Sequence, residues 1–102
     1  MGLSSNGSFD DVNNNSFVTG TLSVGTSQVE IKVGGSKLAG RQEIVVSNNS
    51  NATVYYGPTG VTISTGMPIV KGQIFFDNIG EASAVYLIAG SAANTVVIQE
   101  KS

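Results

Sequence analysis

From residue 17 onward, short apolar runs alternate with clusters of Gly, Pro, Asn and Ser. The clearest run is residues 29–33, Val-Glu-Ile-Lys-Val, whose strict alternation is typical of a strand with one buried face. No segment repeats its apolar residues at the helical period, and the runs are rich in the β-branched and aromatic residues that favour strands. The pattern predicts strands over 18–24, 29–33, 42–47, 53–57, 61–63, 72–77, 84–89 and 95–100, and a loop over 64–68.

Seven or eight short strands at roughly ten-residue spacing are typical of an antiparallel sandwich or barrel. The predicted fold class is therefore all-β: a single antiparallel β-sandwich over residues 17–102, jelly-roll-like or with another Greek-key order. Residues 1–16 are predicted to form a flexible N-terminal arm, because a stretch rich in Gly, Ser and Asn cannot bury enough apolar surface to order itself. Its apolar side chains, Phe9 and Val12, are either anchors that dock on a neighbouring molecule or incidental.

The later strands are apolar on both parities, unlike residues 29–33. One parity can fill the core between two sheets, but the other needs a cover of its own, because monomers rarely leave large contiguous apolar patches in water. That cover comes either from the arm, the loops and the polar tips of tyrosines, or from a subunit interface, and we prefer the interface. The candidate interface residues are Phe9, Val12, Phe17, Val45, Tyr55, Phe75 and Val97.

The low content of charge supports association as well. Charged residues make up 12% of the chain, about half the usual share, and a surface kept soluble by neutral polar groups is poorly defended against self-association. The formal net charge of −2 offers no basic field to a phosphate backbone, so no nucleic acid partner is expected. No apolar run approaches the roughly 18 residues of a membrane span, and no signal peptide is recognisable, so synthesis in a cytoplasm without membrane contact is expected.

The chain has neither histidine nor cysteine, which removes the usual general base, the usual triads and thiolate chemistry. Its seven carboxylates are dispersed, and their spacing does not suggest a catalytic pair. Asp10 and Asp11 fit a solvated acidic loop better than a calcium site. The sequence thus predicts no enzyme, no catalytic residue, no cofactor and no metal site, and it assigns Arg41 to solubility or to a salt bridge.

Residues 38–100 carry an ordered set of elements that resembles small tailed-bacteriophage virion proteins of the capsid-decoration, head-fibre or minor-tail type. The elements are the segments 41–50 (RQEIVVSNNS), 54–57 (VYYG), 60–62 (GVT), 66–69 (GMPI) with Gly72, 85–89 (VYLIA) and 96–100 (VVIQE). The resemblance implies a non-enzymatic β-sandwich that sits on a virion and makes many copies of a few contacts.

The function expected is that of a capsid decoration protein on the outer head surface. It would bind the major capsid protein or another virion protein as a homo-oligomer, expected to be a trimer, and assemble in the cytoplasm of a bacterial host. Two alternatives remain open from the sequence. One is a head-fibre base, a head–tail connector or a tail subunit. The other is a carbohydrate- or receptor-binding module, in which Tyr55 or Tyr56 would contact sugar together with Asn49 and Asn51.

Overall fold

The computed structural model describes residues 16–102, so Phe9 and Val12 lie outside the described residues. Eight strands follow one another along the chain: β1 (Phe17–Val24), β2 (Val29–Glu30), β3 (Glu43–Ser47), β4 (Val54–Gly57), β5 (Met67–Ile69), β6 (Ile74–Asp77), β7 (Tyr86–Ala89) and β8 (Asn94–Lys101). Residues 16–102 contain no helix, and therefore none long and apolar enough to cross a membrane.

The strands form two antiparallel four-stranded sheets. The order is β1-β8-β3-β6 in the first sheet and β2-β7-β4-β5 in the second sheet. The pairs β1·β8, β2·β7, β3·β6 and β4·β5 are those of one long ribbon folded back on itself, and the pairs β3·β8 and β4·β7 roll that ribbon into two layers. This strand order is that of a jelly roll. The predicted all-β sandwich is confirmed.

Alternation along the strands fills the space between the two sheets. On β8, for example, Val96 and Ile98 are buried while Thr95 and Val97 are exposed. The core is built mainly from Val, Ile and Leu, whose branched side chains suit a pleated surface. Its buried members are Val24, Ile31, Ile44, Val46, Val54, Tyr56, Ile69, Val85, Leu87, Ala89, Val96 and Ile98.

β2 is shorter than the alternation over 29–33 predicts. Ile31 and Val33 still pack against the core, and the Ile31 N–H donates to the Val85 carbonyl (2.9 Å), but the next backbone groups bond to side chains instead of to a neighbouring strand. The Ile31 carbonyl accepts a hydrogen bond from the Arg41 guanidinium, and the Val33 N–H donates to the Glu100 carboxylate. The segment therefore leaves the ladder after two residues while the Ile31 carbonyl and the Val33 N–H keep hydrogen-bond partners.

The loop predicted over 64–68 is wrong at its end, because β5 begins within it. Pro68 is accommodated because β5 is the edge strand of the second sheet, where a missing N–H does no harm on the open side. Residues 61–63, by contrast, are predicted as a strand but form none. They enter a turn in which the hydroxyls of Thr62 and Thr65 lie 3.0 Å apart and bond to nearby backbone N–H groups.

The boundary between arm and sandwich also differs from the predicted one. Ser16, predicted as the last residue of the arm, extends the ladder between β1 and β8. The N–H of Ser102 donates to the Ser16 carbonyl (2.8 Å), and the N–H of Ser16 donates to the Ser102 hydroxyl (2.8 Å). The sandwich therefore includes Ser16.

An ion pair lies inside the sandwich. The Arg41 Nη1 atom is 2.9 Å from Glu100 Oε2, and both side chains are fully buried. Of the two roles proposed for Arg41, the salt bridge is correct and solubility is wrong. The guanidinium also donates to the carbonyls of Ile31, Gly80 and Ser83, so one side chain ties three segments together.

The carboxylate of the pair is equally well connected. Glu100 accepts from the backbone N–H groups of Val33 (2.9 Å) and Leu38 (3.2 Å). It shares the inward parity of Val96 and Ile98 on β8, which places its charge between the sheets. The irregular segments on this side of the sandwich are thus fixed by buried charge, which is tolerated because the carboxylate and both terminal nitrogens of the guanidinium have partners; the Arg41 Nε atom alone is buried without one among the described residues.

Candidate interaction surface

The outer side of the first sheet carries an apolar surface. Val45 on β3, Val97 on β8 and Ile74 and Phe76 on β6 all point away from the core. The strand register makes them neighbours, because Val45 pairs with Phe76 while Ser47 stands between Val97 and Ile74. We call these four apolar residues, Val45, Ile74, Phe76 and Val97, the apolar face.

The apolar face is exposed to an unusual degree. Ile74 is 64% and Phe76 65% exposed, and Val97 is 38% exposed. Single exposed apolar residues are ordinary on protein surfaces, but a contiguous group on one sheet is a feature of interaction sites. The four side chains of the apolar face carry no ionisable group. They therefore suit packing against another apolar surface.

Phe17 lies on the outer side of the same sheet but at the other edge and nearer one end. It is 64% exposed and stands opposite Lys101, which pairs with Glu43 at 3.5 Å. A shallow pocket lies beside it, lined also by Gln42, Asn78, Ser16 and Ser102.

The predicted interface residues are not all on one surface. Val45 and Val97 lie on the apolar face, as their assignment to the outward parity implies. Tyr55 also points outwards, but from β4 of the second sheet, where it stands between Ile88 and Pro68. Whether any of these residues contacts a partner stays a prediction.

The assignment of Phe75 to the outward parity is wrong. Its side chain packs against the core, and its ring centroid is 4.8 Å from that of Tyr56. Ile74 and Phe76, which the sequence analysis did not select, take the outward positions instead. All three residues of this run are apolar, so the alternation gave no signal of its phase.

Tyr56 is not available to a ligand. It is 8% exposed, and its hydroxyl donates to Asp77 Oδ2 at 2.8 Å, so the pair links β4 of one sheet with β6 of the other. Burial, followed by this hydrogen bond, raises the pKa of the Tyr56 hydroxyl well above its usual value. The suggestion that Tyr56 forms part of a sugar site is therefore wrong, whereas Tyr55 keeps an outward position.

The polar turn after β3 serves the fold. The buried Asn48 amide donates to the carbonyls of Ala52 (2.8 Å) and Ile69 (2.7 Å), while its oxygen accepts from the N–H and the hydroxyl of Ser50. Asn48 therefore caps the turn that follows β3, a role that the short amide side chain commonly takes. Asn49 is exposed and accepts from the Ser47 hydroxyl.

The carboxylates between residues 16 and 102 have structural partners. Glu30 pairs with Lys32 and Lys37, and Glu81 accepts from the N–H of Gly40. Within this part of the chain, no three potential metal ligands converge. What the described surface offers chemically is therefore apolar packing and open strand edges.

Comparison with models of known protein families finds no match for the chain, and comparison with curated proteins finds none either.

Proposed function

We propose that this chain is a non-enzymatic structural protein of a tailed-phage virion. In the form we favour, it decorates the capsid: it binds the major capsid protein on the outer head surface as a homo-oligomer, a trimer in our proposal. The observation that carries the proposal is the apolar face, with Ile74 and Phe76 about two-thirds exposed on one sheet.

Three further features support it. The jelly-roll architecture is one that viral capsid proteins use, although lectins use it too, so the fold alone does not decide function. The chain is only 12% charged, which suits a protein that works in an assembly. The order of sequence elements over residues 38–100 resembles small virion proteins.

A head-fibre base, a head–tail connector or a tail subunit would share these features and would differ in copy number and position. A carbohydrate-binding module would instead use the outer side of the second sheet, around Tyr55. The two surfaces lie on opposite sides of the sandwich, so substitutions can separate the two functions.

The experiment is binding to purified particles that lack the protein. The test variant Ile74→Thr/Phe76→Ser removes the two most exposed side chains of the apolar face. The matched control is Ile63→Thr, which removes a 49% exposed apolar side chain from a turn outside that face. A second control, Tyr55→Thr, alters the other sheet.

The particle-bound fraction is measured by cosedimentation, and circular dichroism verifies that each variant is folded. We expect the double variant to bind about tenfold more weakly or worse, because truncating a buried apolar anchor commonly costs more than about 1.4 kcal/mol. Both controls should bind as the wild type does. Loss of binding only in Tyr55→Thr, or wild-type binding by the double variant, would contradict the proposal.

A further inference from the structure

The edge of the first sheet formed by β1 differs from the other three edges of the sandwich. Natural proteins protect edge strands by keeping them short or by placing charges or proline in them. β2 has two residues and includes Glu30, β5 has three and includes Pro68, and β6 has four and ends at Asp77. β1 has eight residues, FVTGTLSV, without a charge or a proline.

The backbone groups of β1 divide into two sets. Because the N–H of Ser102 donates to the Ser16 carbonyl, Ser16 and Ser102 form a hydrogen-bonded pair. In an antiparallel ladder such pairs recur at every second residue. The residues whose N–H and C=O face β8 are therefore Val18, Gly20, Leu22 and Val24, and those whose groups face the open edge are Phe17, Thr19, Thr21 and Ser23.

No strand among residues 16–102 lies on that open side of β1. An unprotected edge of this length is a ready template for another strand. We propose that β1 pairs with β1 of a second copy of this chain, antiparallel and about a two-fold axis, so that two first sheets join into one continuous sheet.

The backbone groups of β1 that face the open edge determine the register. Only an axis through Gly20 engages all four outward-facing residues of each copy, pairing Thr19 with Thr21 of the second copy and Phe17 with Ser23 of the second copy. Moving the axis to Thr19 leaves Ser23 of each copy without a partner in β1, and moving it to Thr21 leaves Phe17 without one. The central register gives about eight backbone hydrogen bonds across the axis.

The side chains of β1 suit this register. Thr19 and Thr21 would face each other across the axis, and threonine pairs are favourable cross-strand neighbours. Phe17, 64% exposed in the single chain, would lie across the small Ser23 of the other copy and lose much of its contact with water. The contact is isologous and self-limiting, because each copy uses up the one edge within residues 16–102 that is long and carries neither a charge nor a proline.

This inference goes beyond the proposed function and does not depend on a virion. β1 and β6 are opposite edges of the first sheet, so pairing through β1 leaves the exposed residues of β6 accessible. The test is therefore made in the Ile74→Thr/Phe76→Ser background, in which association through the apolar face is removed. Failure here leaves the particle-binding experiment unaffected.

Two charge patterns at the same positions provide the test. Thr19→Lys/Thr21→Lys places like charges opposite each other twice across the axis. Thr19→Lys/Thr21→Glu places lysine opposite glutamate twice, but only in the register proposed. With the axis at residue 19, lysine would face lysine, and with the axis at residue 21, glutamate would face glutamate. Within a single chain the neighbours on β8 are Gln99 and Val97, which are uncharged and affect both variants alike.

Sedimentation equilibrium between about 1 and 100 µM measures the association, a range that brackets micromolar dissociation constants. We expect the background protein to sediment at twice the 10.4 kDa of one chain. The Lys/Lys variant should dimerise about 10- to 100-fold more weakly, and the Lys/Glu variant should dimerise as the background does or better. A monomeric background protein, or a Lys/Glu variant as weak as Lys/Lys, would overturn the proposal.

Amide hydrogen exchange tests the same contact without a substitution in β1. Protection of the Thr19 and Thr21 amides should rise with protein concentration, whereas protection of Val18 and Gly20, which bond to β8, should not change. Thr19 and Thr21 amides that exchange rapidly at every concentration would overturn the pairing. Concentration-independent protection would do the same, since it would mean that the edge is covered within one chain.

Discussion

Replacing Arg41 with methionine tests what fixes the irregular segments of the sandwich. Methionine keeps an apolar stem but removes the charge that lies 2.9 Å from the Glu100 carboxylate. That carboxylate would stay fully buried with only two backbone N–H groups as partners. The carbonyls of Ile31 and Ser83 would lose the guanidinium as donor, and the Gly80 carbonyl would keep only the Ser83 N–H. Removing one partner of such a pair costs about 3–5 kcal/mol, a large part of the roughly 5–15 kcal/mol that keeps a domain folded.

The assay is urea unfolding followed by circular dichroism. With a slope of about 1.5 kcal/mol per molar urea, a loss of this size lowers the midpoint by about 2–3 M. The matched control is Lys101→Met. Lys101 follows Glu100 on β8 and forms an ion pair with Glu43 at 3.5 Å, but its side chain is 46% exposed. For that exposed pair we expect a loss of less than about 1 kcal/mol.

A double-mutant cycle separates the buried charge from the lost packing. In Arg41→Met/Glu100→Met no unpaired charge remains. The double variant should therefore lose less free energy of unfolding than the sum of the losses in the two single variants. Strictly additive losses would contradict the account of a coupled pair. An Arg41→Met protein no less stable than Lys101→Met would show that the buried pair does not stabilise the fold.

Three further outcomes are expected. Tyr56→Phe removes the hydroxyl that donates to Asp77 and should lower the free energy of unfolding by about 1–2 kcal/mol at pH 7. Because burial raises the pKa of this hydroxyl, its stabilising effect is complete below about pH 10 and declines above it. The difference in urea midpoint between wild type and variant should therefore stay the same up to about pH 9 and shrink as the pH rises above about 10, and a difference that is still unchanged at about pH 11 would contradict this. Deleting residues 1–15 should leave the circular dichroism and melting temperature nearly unchanged but weaken cosedimentation with particles, whereas wild-type binding would mean that the arm contributes nothing. Elemental analysis should detect no stoichiometric metal, and a bound ion would direct attention to Asp10 and Asp11.

The sequence predicted the bounds of a strand well where that strand lies between two other strands of its sheet. β3 and β8 alternate as the ladder requires, and their positions agree with the prediction to within a residue. The most regular pattern of all, residues 29–33, produced only a two-residue strand. The Ile31 N–H still bonds to the Val85 backbone, but the Ile31 carbonyl and the Val33 N–H bond to the side chains of Arg41 and Glu100. Periodicity describes which side of a segment is buried, not what its backbone bonds to.

The buried pair itself was missed because its members are 59 residues apart. One local signal did exist: Glu100 continues the parity of Val96 and Ile98, which are both core residues. A carboxylate on a core parity needs a buried partner, and Arg41 is the residue that supplies it.

The sequence predicted an outward apolar surface, but it did not identify all of the residues that form it. Val45 and Val97 were assigned to the outward parity correctly, since buried Ile44 and Val46 and buried Val96 and Ile98 flank them. On β6 three consecutive residues are apolar, so either Phe75 or the pair Ile74 and Phe76 could have faced the core. Phe75 packs against Tyr56 in the core, and Ile74 and Phe76 therefore face outwards. That choice depends on the opposite sheet, which no local pattern reports.

We propose that this chain is a tailed-phage virion protein, and quantitative mass spectrometry of purified virions assembled in cells that produce the chain is the most direct measurement of that proposal. A capsid decoration protein occupies a position that icosahedral symmetry repeats, so we expect on the order of hundreds of copies per particle. Roughly a dozen copies or fewer would indicate a connector or tail position instead. Absence of the protein from particles would contradict the virion proposal.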